Sequence, residues 1–354
     1  MKRVFKVIGI AVLVLVVAVG GLLGWLTATE FNPPAVEPAQ VLRSAADARL
    51  LSAGEPLSIL SWNIGYAGLG SGSDFFMDGG KNARAADEAT VGRYLSGIAD
   101  TLREADCDLV LLQEVDSDSA RTYSVDEAAA LASGNACYAL NYACPFVPIP
   151  FPPLGRVNSG LLTCSDCAVT DAQRLSLPCP FSWPLRIANL KRCLLVTRLP
   201  VEGTDRELVL VNLHLEAYDD GAGKLAQTQQ LRGFLQEEFE KGNYVIAGGD
   251  FNQVFPGGLE AYPNTHPELW QPGTLDESLL PEGADWRYAY SLESPSCRLL
   301  NQPYDPADTE HTQYYVIDGF ILSPNVELLE VETLGELDFA DSDHNPVRVR
   351  VVLN

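Results

Sequence analysis

An α/β sandwich is the fold class this sequence predicts, and three observations predict it. Apolar runs of strand length alternate with at least two segments of helical periodicity. The runs are almost continuously apolar, as in strands covered on both faces. No short internal repeat is visible, which sets aside solenoids and propellers.

The first element is an apolar helix. Val7 to Leu26 carries no charge, and Lys2, Arg3 and Lys6 precede it. Twenty such residues suffice to cross a hydrocarbon core of roughly 30 Å. The basic flank favours a cytoplasmic N-terminus with the remainder outside the cell membrane, and Trp25 at the outer interface. The rival reading is a cleaved signal peptide, with Thr27, Ala28 and Thr29 near the cleavage site and a secreted product. Residues 1–26 are therefore expected to be an anchor or signal. Residues 27–56, with Asn32-Pro33-Pro34 and Glu37-Pro38, are expected to be a linker, only Ala39 to Leu51 having the pattern of a short helix.

The rest, residues 57–354, reads as the working domain. Leu57–Ile64 is a predicted strand. Ala86–Glu104 is a predicted helix with Val91, Leu95, Ile98 and Leu102 on one stripe, and Asp108–Val115 a buried strand. Asn135–Pro184 is rich in Pro, Cys and aromatics and reads as irregular. Strands follow at Arg192–Thr197 and Glu207–Leu215, then a helix at Gly223–Glu240 and a strand entering Gly248. Pro256-Gly257-Gly258 is turn chemistry. Tyr314–Leu322, Val326–Thr333 and Pro346–Leu353 close the chain as strands.

Charge and cysteine narrow the function classes. The chain carries 47 acidic and 24 basic residues, a net charge of −23. Such a surface repels nucleic-acid backbones unless a basic patch or metal ions intervene. All eight cysteines lie beyond residue 100, and an even number outside the cell permits disulfides. Cys164 and Cys167 have the spacing of half a zinc site, but no second half follows.

Polar residues interrupt the apolar runs near their ends. Asn63 closes the first strand and Glu114 the second; Asn212 and His214 share a face of a third. Gly248-Gly249-Asp250-Phe251-Asn252 ends the fourth, with Asp250 and Asn252 two residues apart and so pointing alike in extended chain. Asp318 lies inside the run 314–322, and Asp343 and His344 precede the last strand. Buried carboxylates are costly unless a cation pairs with them, so their recurrence at strand ends points to one shared site. The oxygen-rich inventory suits Mg²⁺ or Mn²⁺ better than zinc. The two histidines supply proton transfer or hydrogen bonds to a phosphoryl oxygen. No serine nucleophile elbow or phosphate-cradling Gly-rich loop is present. What remains is metal-assisted attack of water on a phosphate ester.

The set Trp62-Asn63-Ile64, Gln113-Glu114, Asn212-Leu213-His214-Leu215, Gly249-Asp250-Phe251-Asn252, Ile317-Asp318 and Ser342-Asp343-His344 resembles the endonuclease/exonuclease/phosphatase superfamily of metal-dependent phosphoesterases. This includes deoxyribonucleases, sphingomyelinases and inositol polyphosphate 5-phosphatases. The resemblance implies a four-layer sandwich of two packed mixed β-sheets flanked by helices. It also implies roles: Glu114 with Asn63 and Asp343 at the metal, Asp250 on the attacking water, and Asn252 on a phosphate oxygen. Asp318 would pair with His344, which would act as base or as a phosphate contact, the division of labour with Asp250 being open, and His214 would stabilise the developing charge or assist the leaving group.

Substrate-phosphate candidates are Arg121, Lys191 and Arg192, with Lys81 and Arg156 as further cations. The loops at 78–82 and 116–123 read as site edges. Cys144–Leu154 reads either as a rim touching lipid or as a rigid loop packed on the fold. His266 and His311 match no motif. The anchor and acidic surface favour a phospholipid or small phosphoester substrate. The alternatives are a secreted or anchored nuclease and a non-catalytic binding module. No protein partner is inferable.

Overall fold

The computed structural model describes residues 1–283, 285–308 and 310–354. From the N-terminus, helix α1 (Lys2–Ala28) leads to β1 (Val36–Pro38), β2 (Gln40–Arg43) and β3 (Pro56–Asn63). Helix α2 (Glu88–Ala105) then precedes β4 (Leu109–Asp116), and α3 (Glu127–Leu131) precedes β5 (Asn135–Val147), β6 (Gly155–Ser165) and β7 (Asp171–Ser176). Next come β8 (Cys193–Pro200), β9 (Glu207–His214), α4 (Ala222–Glu240) and β10 (Tyr244–Asp250). The one-turn α5 (Gly258–Ala261) leads to β11 (Arg287–Ala289), β12 (Asp318–Leu322), β13 (Val326–Thr333) and β14 (Val347–Leu353).

These strands make two mixed seven-stranded sheets, ordered β1-β7-β8-β9-β10-β12-β11 and β13-β14-β3-β4-β6-β5-β2. Period-two alternation explains why the sheets pack face to face. Leu57 and Ile59 of β3, Leu109 and Leu111 of β4, Leu208 and Leu210 of β9 and Ile246 of β10 point into one shared core. The intervening residues point outward under helices. Leu60, Trp62 and Leu112 lie beneath Val91, Tyr94 and Ile98 of α2. Val209, Val211, Val245 and Ala247 lie beneath Leu231 and Leu235 of α4. The result is helix, sheet, sheet, helix. Each fully buried aliphatic side chain contributes roughly 2 kcal/mol. Helix α2 starts where it does because Asp87 caps it, its side chain accepting from Thr90 N–H at 2.7 Å.

Several expectations are corrected. The linker at 27–56 holds two strands, β1 pairing with β7 and β2 with β5, and no helix forms between Ala39 and Leu51. Pro38 is tolerated because β1 is an edge strand. The segment 135–184 contains the longest hairpin of the molecule, β5 and β6, whose cysteines and aromatics are sheet residues. Tyr314–Leu322 is broken, with Tyr314–Tyr315 in a separate two-stranded ribbon and Asp318–Leu322 in the first sheet. Gly258, expected in a turn, begins α5 with Gly257 in the left-handed conformation before it. All eight cysteines are free thiols.

Candidate active site

Strand register assembles the centre. In the first sheet Asp250 sits directly opposite His214 on one side and Asp318 on the other. Three polar residues thus form one row across three adjacent strands. The two glycines before Asp250 make the row fit. A Cβ on Gly249 would lie 1.9 Å from Leu213 O, and one on Gly248 2.4 Å from the Phe320 ring.

The second sheet supplies the facing groups. A register shift between Leu112 and Val115 interrupts the β4–β6 ladder at Gln113 and Glu114, and Glu114 takes a left-handed backbone, φ 55°. Such a bulge re-aims one side chain out of its alternation. Gln113 turns inward, while Glu114 faces the cavity. Asn63, the last residue of β3, donates through Nδ2 to Asp250 Oδ2 at 3.0 Å and to Glu114 Oε1 at 3.5 Å. Its Oδ1 accepts from Gly65 N–H at 3.1 Å. The amide of Asn63 thus braces the carboxylates, while its oxygen keeps one further lone pair.

Asp343 and His344 are bolted to the end of β3. Ser342 Oγ donates to Asn63 O at 2.7 Å, and Trp62 Nε1 to His344 O at 2.8 Å. His344 Nδ1 lies 2.8 Å from Asp318 Oδ2, which also accepts from Ser296 Oγ at 2.8 Å. The other ring nitrogen, Nε2, lies 3.8 Å from Asp250 Oδ2 and 3.8 Å from Asp343 Oδ2. His214 Nε2 stands 3.3 Å from Asp250 Oδ2 and 3.9 Å from Glu114 Oε1. Asn252, held left-handed at φ 50°, donates from Nδ2 to Leu215 O at 2.9 Å, and its backbone N–H caps Asp250 Oδ1 at 2.8 Å. Left-handed Glu and Asn side by side with a buried site are backbone strain placed where function is concentrated.

Electrostatics divide the two imidazoles. Burial, with Arg192 and His344 nearby, pushes His214 well below the usual histidine range, so it is neutral. Burial alone would do the same to His344, but the Asp318 charge overrides it and holds the ring protonated. Burial raises Asp343 to about 6, the neighbouring His344 and Glu114 acting in opposite directions. Burial and the Asp318 charge raise Asp250. Among the described residues no Lys or Arg hydrogen-bonds to any of these carboxylates. Glu114, Asp343 and Asp250 thus bring three carboxylates to one cavity without a Lys or Arg hydrogen-bond partner. Asp250, Asp318 and His344, and separately Cys297, Asp343 and His344, are close enough to share an ion.

The cavity around these groups has a volume of about 310 Å³. All eight motif candidates except Asp318 line it; Asp318 stands behind His344. The phosphate candidates separate. Arg192 lines the wall with its Nε and Nη1 buried and unpartnered, Nε lying 3.8 Å from Glu216 Oε2. Arg121 also lines it but spends Nε and Nη2 on Asp116, at 3.0 and 2.8 Å, and lies over the Tyr66 ring. Lys191 is not in the wall: its Nζ lies 3.2 Å from Glu30 Oε1 and donates to Arg186 O, so burial beside a carboxylate replaces the substrate role. Lys81 and Arg156 also lie off the cavity, as do His266 and His311.

Sequence reading missed much of the wall, including Tyr66, Asp78, Tyr218 and Trp270. Tyr218 donates to Asp78 Oδ1 at 2.9 Å, and burial lifts Asp78 to about 7. Tyr66 and Trp270 are further aromatic residues of the lining. Only Asp78, in a loop read as a site edge, left a signal. Asn212 and Gln113, though in the motifs, are not in the cavity. Gln113 Nε2 donates to Asn212 Oδ1 at 2.8 Å between the sheets.

The model of the endonuclease/exonuclease/phosphatase family matches residues 60–344. The chain belongs to that family. Among solved structures it resembles a family member from Beutenbergia cavernae, with TM-score 0.55, 16% identity, and 84% of this chain and 72% of that one covered. A mannosyl-6-phosphatase from Bacteroides thetaiotaomicron gives TM-score 0.52 and 17% identity over 84% of this chain and 99% of that one. The human Nocturnin catalytic domain gives 0.50 and 17% over 85% and 95%. At these identities the likeness is one of fold. No curated protein matches the sequence.

Proposed function

We propose that this chain is a divalent-metal-dependent phosphoesterase, anchored by α1 with its catalytic domain outside the cell membrane. The observation that carries this is the convergence of Glu114, Asp250, Asp343, His214 and His344 on one cavity, with the Asp318–His344 bond at 2.8 Å behind it. Glu114 and Asp343 would hold Mg²⁺ or Mn²⁺, which when bound polarises the phosphoryl oxygen and offsets charge on the phosphorus centre. Asp250, its carboxylate raised by burial, orients the attacking water and accepts its proton. Asp318 fixes the His344 ring so that Nε2–H points to the cavity, where it donates to a phosphate oxygen. Asn252 has one amide hydrogen on Leu215 O, leaving the second for another oxygen. Neutral His214 stands beside Asp250 and donates to the developing charge. Arg192, with unpartnered donors in the wall, is the cation that takes a substrate phosphate or a second acidic group.

The net charge of −23 and the largely apolar wall favour a phospholipid or a small phosphoester over DNA. A panel of sphingomyelin, phosphoinositides, plasmid DNA and bis-nitrophenyl phosphate, each with Mg²⁺ and with chelator, tests the reading. Hydrolysis of none of the four with Mg²⁺ or Mn²⁺ would sink it, in favour of a binding module of the same fold.

A further inference from the structure

Two loops that both pack on the base of α1 expose large apolar side chains. Ile149 and Phe151, between β5 and β6, are 70% and 93% exposed. Trp183 and Leu185, between β7 and β8, are 55% and 68% exposed. Four large apolar side chains exposed on loops that share one base are unfavourable unless something covers them.

Both segments are tied to the base of α1. Leu26 is buried in a cluster with Val147, Leu154 and Ile187. Trp183 Nε1 donates to Thr27 Oγ1 at 3.1 Å, and Arg186 Nε to Glu30 at 2.9 Å. Helix α1 itself is 27 residues long, its most apolar window has a mean hydropathy of 2.9, and no residue of that window is buried. The loops also border the catalytic cavity, whose wall includes Val147, Ile149, Leu154 and Leu190.

Charge marks out the same face. Neither residues 128–165 nor residues 172–201 contain an Asp or Glu, in a chain that has 47. The two segments themselves thus carry no acid, and Glu30 at the base of α1 is paired with Arg186 and Lys191. Aromatic and aliphatic tips on Pro-rich loops, beside a basic Arg186, match the chemistry of the interfacial layer of a bilayer.

We propose that the loops at 148–153 and 181–187 are immersed in the outer interface of the bilayer that α1 crosses, seating the cavity mouth on the lipid surface. What covers these side chains is lipid, because both loops pack on the base of α1. An amphipathic phosphoester would then enter with its apolar part along the Ile149–Leu154 wall. The proposal rests on the reading of α1 as an anchor and is independent of catalysis.

The test uses the full chain in vesicles of phosphatidylcholine and phosphatidylglycerol carrying dibrominated acyl chains. An indole is introduced by Phe151→Trp or, as control, by Leu329→Trp. Leu329 is also exposed, but it lies on β13, at the opposite edge of the second sheet from β5. Brominated lipid is expected to quench the emission added by Phe151→Trp by more than about half and to leave that added by Leu329→Trp unchanged, as short-range contact with acyl chains requires. Equal, weak quenching at both positions in chains that float with the vesicles after carbonate washing would overturn the immersion and leave the anchor standing. Chains that do not float remove the anchor, and the proposal with it. Neither result bears on phosphoester hydrolysis, which is measured in detergent.

Discussion

Asn212 sits in the middle of a motif that reads as catalytic, yet its structural position assigns it to the frame, and one substitution separates the two. Its Nδ2 donates to Leu112 O at 3.1 Å and Leu162 O at 3.0 Å, and its Oδ1 accepts from Gln113 Nε2 at 2.8 Å. Asn212 belongs to β9 in the first sheet, while all three partners belong to the second sheet. Asn212→Ala deletes three buried hydrogen bonds across the sandwich. At about 1 kcal/mol each net, the loss is about 3 kcal/mol, rising if a carbonyl is left dry. For a domain of this size that lowers Tm by about 6 °C. Thermal unfolding of the detergent-solubilised chain, followed by circular dichroism, reads the shift. Turnover of bis-nitrophenyl phosphate at 15 °C reads the site, which Asn212 does not touch, and is expected within threefold of the parent. A Tm change under 2 °C, or a hundredfold loss of turnover with Tm intact, would refute the assignment of Asn212 to the frame.

Four further outcomes are expected. Glu114→Gln removes an anionic oxygen from the proposed metal pocket and should cut Mg²⁺-dependent turnover at least about 100-fold, with metal affinity by calorimetry falling in parallel. Asp318→Asn should lower kcat by roughly 10²- to 10⁴-fold with little change in KM, because the His344 ring loses its orienting charge; steady-state kinetics distinguishes this from weakened substrate binding. Gly249→Ala forces a methyl to 1.9 Å from Leu213 O and should leave little folded protein at 37 °C, as judged by solubility and circular dichroism. Burial alone would raise Glu238, but hydrogen bonds from Arg198, Lys241 and Asn243 outweigh it and hold the carboxylate at about 2 against an ordinary 4.5. A depressed folded-state pKa gives stability that is present above pH 4.5 and lost as pH falls through about 2. The share is about 3 kcal/mol at pH 7, so urea midpoints of the parent and Glu238→Gln should differ at pH 7 and converge near pH 2.

The strands that carry the site were legible because both of their faces are covered. Leu109 to Leu112 and Tyr244 to Ala247 had to be apolar throughout, and a polar residue at the end of such a run stands out. Asp250 and Glu114 stand out in this way, Asp318 as an acid inside such a run, and His344 just before one. The strands at 36–43 and the hairpin 135–165 were not legible for the opposite reason. Edge strands have one free side and tolerate Pro38, and the hairpin replaces aliphatic residues with Cys, Tyr and Asn. Roles within a motif were harder still. How Asn63 turns its amide depends on Gly65, whose φ of 51° aims its N–H at the amide oxygen. Lys191 and Arg192 are adjacent in sequence, yet alternation sends one to Glu30 and the other into the cavity wall. Tyr66, Tyr218 and Trp270 come from irregular segments with no period to betray them.

The two short strands β1 and β2 lie on opposite sheets with only Ala39 between them. They begin within eight residues of the end of α1, so no free leash separates the helix from the body. A pull on the helix is delivered to both sheets together, in shear along paired strands. On a bilayer such a mount cannot reach outward or swing. If the proposed anchor and lipid substrate hold, the target would come to it by lateral diffusion, and search in two dimensions would replace search in three.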